Sequence, residues 1–181
     1  AFFTFIHELG HALGLKHPFA QSAYNSTTMT GIYSDLDSVV TTVMSYSAAP
    51  GNWSTHLSYN PTTPMVYDIL AIQVIYGENT SYHTGDDIYN FSTNGDYLQT
   101  IWDAGGNDTI VCTGSESVMI DLNEGCGSRI GNSVYVLNQY GIRLNSVSNV
   151  WIAYGAMIEN ATSGSGNDTL TGNQLNNILT G

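Results

Sequence analysis

The chain has almost no positive charge: three Lys and Arg residues stand against 15 Asp and Glu, a net charge of −12. Nucleic acid is thereby excluded as a partner, because phosphate binding needs clustered cations. No apolar run approaches the ~20 residues that a membrane-spanning helix requires, so no membrane insertion is expected. Two cysteines, Cys112 and Cys126, are too few for a disulfide scaffold. They either pair in an oxidising compartment or stay as small buried residues. Charged residues make up only 10% of the chain, which excludes long solvated helices. What is abundant is glycine, 19 residues, together with Asn, Ser and Thr. That composition predicts a turn-rich, β-rich chain. The surplus carboxylates serve solubility if scattered and hard cations if patterned.

Two helices are predicted. Residues 1–14 carry Phe2, Phe3, Ile6, Leu9 and Leu13 at helical spacing. Gly14 is placed to end this helix and Pro18 to prevent its resumption. Residues 65–76 form a second helix, apolar almost all round and so expected to be buried, with Gly77 as its C-terminal cap. Within it, Asp68 needs hydrogen-bond partners and is expected to find them in the segment around Met44. Residues 18–64 are otherwise irregular, with two short β-like stretches, Val39–Val43 and the turn around Met44–Tyr46. From Ser81 onward short strands alternate with Gly/Asn/Asp turns, at Ile88–Phe91, Tyr97–Trp102, Thr109–Cys112, Ser117–Leu122, Ser133–Leu137, Val150–Ala153, Thr169–Thr171 and Asn177–Leu179. The fold class is therefore α+β, divided into 1–77 and an all-β unit at 78–181. The opening Ala1-Phe2-Phe3-Thr4 falls in the middle of an apolar pattern and shows no leader peptide, so the chain reads as a segment of a longer polypeptide.

The chemistry is concentrated at residues 7–17. His7-Glu8-Leu9-Gly10-His11 places two imidazoles four apart on one helix face, where both reach one cation. Glu8 adjoins the first ligand and can address a bound water without ligating. Gly14 lets the backbone turn, and His17 can swing back as a third nitrogen donor. Three neutral imidazoles leave a zinc position open for water, as catalytic zinc requires. A second pattern lies in the β region. Gly105-Gly106-Asn107-Asp108-Thr109-Ile110 is echoed by Gly164-Ser165-Gly166-Asn167-Asp168-Thr169-Leu170 and more loosely by residues 172–181. Glycine turn, Asp and short strand make up the nonapeptide rule of calcium-binding parallel β-helices. His56 reads as a surface-loop histidine.

The full string from His7 to His17 resembles the metzincin signature H-E-x-x-H-x-x-G-x-x-H. Val43-Met44-Ser45-Tyr46 resembles the Met-turn of that class. Asp68–Gly77, Trp102–Thr109 and Ile120–Gly125 resemble segments of serralysins, a branch of peptidase family M10. The resemblance runs from residue 1 to residue 181 and is weakest at 18–43 and 127–150. It implies the C-terminal portion of a protease domain (zinc helix, Met-turn and closing helix) followed by a truncated calcium-binding β-roll. It implies one catalytic zinc held by His7, His11 and His17, with Tyr46 as a further ligand that stabilises the transition state, Glu8 as general base and Met44 beneath the site. It implies several structural calcium ions in three sets: His83, Gly85 and Asp87; Asp103, Gly105, Gly106 and Asp108; and Met157, Glu159, Gly164, Gly166 and Asp168. The family usually has Arg where His83 stands. The expected whole is a secreted, extracellular, monomeric zinc endopeptidase acting on proteins or peptides. The competing reading is a calcium-stabilised binding module with a dead protease part. Without the sheet that precedes the zinc helix in the family, the segment is expected to lack activity of its own.

Overall fold

A computed structural model describes residues 2–19 and 36–181 of the chain; most of the loop expected at 18–43 lies outside the described residues. Among the described residues there are two helices, and the other elements are strands. Helix α1 spans Phe2–Ala12 and buries Ile6, His7 and Gly10. It ends where Gly14 adopts a φ of 93°. Leu15 N donates to Gly10 O and Gly14 N to His11 O, a paired closure that only a left-handed residue at this position allows. The chain is thereby turned back along the helix that it has just left.

Helix α2 spans Val66–Tyr76 and is held at its start by Asp68. The carboxylate of Asp68 is buried and accepts Met65 N at 2.8 Å, Val43 N at 2.7 Å and Thr42 Oγ1 at 2.6 Å. Burial pushes its pKa up, and these three hydrogen bonds oppose the shift. One side chain thus caps α2 and anchors the loop at 42–44. The expectation of a helix buried all round is corrected. Val66 and Asp68 are buried, Ala71 and Ile72 pack on the core, and Val74, Ile75 and Tyr76 stand exposed. Among the described residues α2 is held at its first turn and by one face, and its last turn reaches the end of α1 through Tyr76 Oη to Leu13 O at 3.1 Å.

The β-like stretch at Val39–Val43 is corrected as well, because these residues form turns. Thr41 N and Thr42 N both donate to Ser38 O, and Ser38 Oγ donates to Ala48 O at 2.6 Å. Local hydroxyl bonds compete successfully with a strand ladder here.

The strands among the described residues are β1 (Thr55–Leu57), which precedes α2, and β2 (Ile88–Ser92), β3 (Gln99–Ile101), β4 (Thr109–Thr113), β5 (Met119–Asp121), β6 (Gly127–Ser128), β7 (Val134–Asn138), β8 (Arg143–Val147), β9 (Val150–Ile152), β10 (Asn160–Thr162), β11 (Thr169–Thr171) and β12 (Ile178–Thr180), which follow it. One sheet has the order β12-β10-β4-β2, all parallel, and β11 pairs parallel with β5. These two sheets are the faces of a roll filled by Ile110, Ile120, Leu122, Ile152 and Ile158. A second core joins Ile6, Val43, Met44 and Met65 to Leu98, Val134 and Val136, and β1 pairs antiparallel with β7. Helical and β segments therefore share apolar packing.

Two outcomes test this packing. Asp68→Ala leaves the buried N–H groups of Val43 and Met65 without their acceptor and is expected to cost about 1–3 kcal/mol; an unchanged urea midpoint would show that Asp68 anchors nothing. A Cβ at Gly10 would lie 2.5 Å from Met44 Sδ, so Gly10→Ala must push a fully buried sulfur aside, at roughly 1–3 kcal/mol. Thermal unfolding of the two proteins measures that loss.

Candidate metal centres

The return of the chain after Gly14 brings three histidines together. His17 Nε2 lies 3.1 Å from His11 Nε2 and 3.4 Å from His7 Nε2. His7 Nδ1 meets Val43 O at 2.7 Å and His11 Nδ1 meets Leu15 O at 3.0 Å. Carbonyls accept only, so both Nδ1 atoms carry the proton and both Nε2 lone pairs point inward. Bonds of about 2.1 Å at tetrahedral angles would set nitrogens about 3.4 Å apart. The donor set thus fits one zinc-sized ion. His17 is held below its usual pKa, first by burial and then by His11 and His7, with Glu8 and Asp37 opposing. A neutral ring is the form that a metal requires.

The surroundings are aromatic. Tyr46 stacks on His7 with ring centroids 5.4 Å apart and lies 4.7 Å from His17. Phe19 stacks on His17 at 4.7 Å and contacts Tyr46 and Trp53. Met44 is buried beneath, against Gly10. Glu8 is exposed beside His7. Asp37 is fully buried; its Oδ1 accepts Ser45 Oγ at 2.6 Å, which fixes the residue before Tyr46. Sequence reading missed Phe19, Trp53 and Asp37. A buried Asp needing partners in Leu36-Asp37-Ser38 was the available signal. His56 is exposed, on β1 rather than in a loop.

The acidic residues of the β region form a stack of turns. His83, Asp87 and Asp103 each offer a ligand atom within 4.8 Å of the others. Asp108 Oδ1 accepts Asp87 N at 2.7 Å, and Gly106 abuts the Gly85 carbonyl. The first two expected sets, His83/Gly85/Asp87 and Asp103/Gly105/Gly106/Asp108, therefore meet in one place. The third divides. Glu159 Oε2 accepts Asp108 N at 2.8 Å. Asp168 Oδ1 instead accepts Val118 N at 2.9 Å, with Gly164 against the carbonyl of Gly114 and Gly166 against that of Glu116. Met157 stays half exposed. Burial pushes the Asp108 carboxyl up to about 6, and the like charges of Asp103, Glu159 and Asp87 add to it while the Asp87 N–H opposes. Asp108 Oδ2 and Asp168 Oδ2 are buried without a partner. Orphaned carboxylate oxygens crowded by like charge are what a hard cation relieves.

One turn is closed differently. Asn173 Nδ2 donates to Leu122 O and Ile158 O, both at 2.9 Å, and Asn177 Nδ2 donates to Glu159 O at 2.8 Å. Cys112 is buried and Cys126 half-buried, and both are free thiols. Among the described residues no helix is long and apolar enough to cross a membrane.

Comparison with known proteins gives these features a setting. The family model described as peptidase M10 serralysin C terminal matches residues 67–179. Serralysin C of Dickeya chrysanthemi is 40% identical over 92% of this chain and 35% of its own length. A serralysin of Photorhabdus luminescens is 37% identical, and metalloprotease AprA of Pseudomonas entomophila 36%, each over 97% of this chain and 37% of its own. The chain spans about a third of the length of these relatives. The family match opens one residue before Asp68, in the helix that anchors the histidine-bearing segment, and runs through every acidic turn: the chain belongs to the serralysin family of peptidase M10.

Proposed function

We propose that the chain contributes the zinc-binding and calcium-stabilised parts of a secreted zinc-dependent endopeptidase, residues 1–77 belonging to the catalytic unit and 78–181 to a calcium-binding roll. The observation that carries this reading is the inward convergence of three Nε2 atoms, two of whose rings are oriented by Val43 O and Leu15 O. Zinc bound there supplies Lewis acidity and makes water a better acid. Glu8, beside His7 and open to solvent, takes the proton of the attacking water and returns it to the leaving amine. Tyr46, stacked on His7, donates its hydroxyl hydrogen to the oxyanion or joins the histidines as a further ligand. Met44 supports the site from below. Phe19 and Trp53 give it an apolar wall that suits peptide substrates. The names of the serralysin relatives support hydrolysis of peptide bonds, and calcium is the hard cation that suits Asp87, Asp103, Asp108, Glu159 and Asp168.

In the full-length protein Glu8→Gln is expected to retain zinc and to lose about 10²–10⁴ of kcat. Wild-type turnover at full zinc occupancy would rule out Glu8 as the base. For calcium, Asp108→Asn is expected to raise the unfolding temperature in chelator, where it removes a buried charge, and to lower it in calcium. A change of the same sign in both buffers would show that Asp108 holds no cation.

A further inference from the structure

We infer that Phe19 is a positioning residue of the histidine cluster, whose ring orients His17 in the way that main-chain carbonyls orient His7 and His11. His7 Nδ1 is held by Val43 O and His11 Nδ1 by Leu15 O. Among the described residues no carbonyl takes His17 Nδ1, and the polar contacts of this ring run from Nε2 to the other two histidines. A metal uses all three Nε2 lone pairs, so no hydrogen bond at Nε2 can hold His17 in its ligating form. What holds this ring is its face. The rings of His17 and Phe19 have centroids 4.7 Å apart and planes inclined by 9°, the most nearly parallel ring contact of the cluster among the described residues.

The sequence builds the stack locally. Pro18 stands between the two rings. It restricts His17 to extended backbone and fixes its own φ, so the rings meet across a stiff link. Phe19 is itself buried. Tyr46 contacts it at 5.4 Å and Trp53 at 5.1 Å, both inclined to its plane. Tyr46 lies in the loop that carries Met44 and stacks on His7. Phe19 is therefore clamped from the Met44 loop and passes that constraint to His17. An aliphatic side chain would fill the same space but offer no plane to stack on. Outer partners that fix a ligating histidine govern roughly ten- to a hundredfold of metal affinity.

This inference rests on the histidines holding zinc, so the test separates the two. Zinc affinity of the full-length protein is measured by chelator competition at saturating calcium, for wild type, His17→Ala, Phe19→Leu, Phe19→Tyr and Phe19→Trp. Phe19→Leu is expected to weaken zinc roughly tenfold or more and to alter the visible absorption of the cobalt-substituted protein. At least one of the two aromatic variants, which keep a ring face, is expected to stay close to wild type in both. Wild-type affinity in Phe19→Leu, or an equal loss in all three Phe19 variants, overturns the orienting role while leaving the zinc reading intact. Wild type that holds zinc no better than His17→Ala overturns the zinc reading and this inference with it. The metal-free wild type gives a readout that needs no variant. Nuclear Overhauser contacts between the ring protons of His17 and Phe19 are expected, and their absence overturns the stack.

Discussion

The buried ring of the histidine cluster, His7, is set by the backbone of Val43. Its N–H is taken by Asp68 and its carbonyl by His7 Nδ1. A buried carboxylate on α2 thus holds the N–H of the residue whose carbonyl, in the next peptide group, orients a ring on α1. Asp68 gains three hydrogen bonds in exchange for its lost hydration, which is the condition under which a buried charge is tolerated. Ring orientation then follows from the main chain and not from the side chain's own preferences.

The β region follows the opposite rule. Its turns stack like charges on each other, and its carboxylates accept backbone N–H groups of neighbouring turns, as Asp108 does from Asp87 and Asp168 from Val118. Those bonds hold the register but leave buried oxygens without partners. The two parts of the chain thus differ in what they need from an ion. The ring orientations of His7 and His11 are set by main-chain carbonyls, and the turns bring like charges close together. Leu98, Val134 and Val136 of the β region pack with Val43 and Met44 in the core under the histidines.

Much of this was legible in sequence because it is local. Histidines at spacings of four and six, with Gly14 between, can converge only if the helix ends where it does, and the closure by Leu15 and Gly14 is short-range. The Gly-Asn-Asp repeats likewise announced their own turns. What was not legible is pairing over distance. Nothing in residues 113–118 marks them as the neighbours of 164–168, and the grouping of Glu159 with Asp108 instead of Asp168 is decided by which strands lie side by side. The strand β1 has three residues and exists because β7 is opposite it. Helix α2 misled for a different reason: apolar composition states what a surface could bury, not what lies against it. At Val39–Val43, β-branched residues suggested extension, but Ser38 offered closer partners.

The antiparallel pairing of Thr55–Leu57 with Val136–Asn138 lies on both sides of the segment 78–87 in the chain. Cutting the polypeptide within that segment would therefore leave a nick and not two separable fragments. The strand ladder and the apolar residues behind it would still bridge the break, so the histidines and the acidic turns would travel together as one particle until the core itself was unfolded.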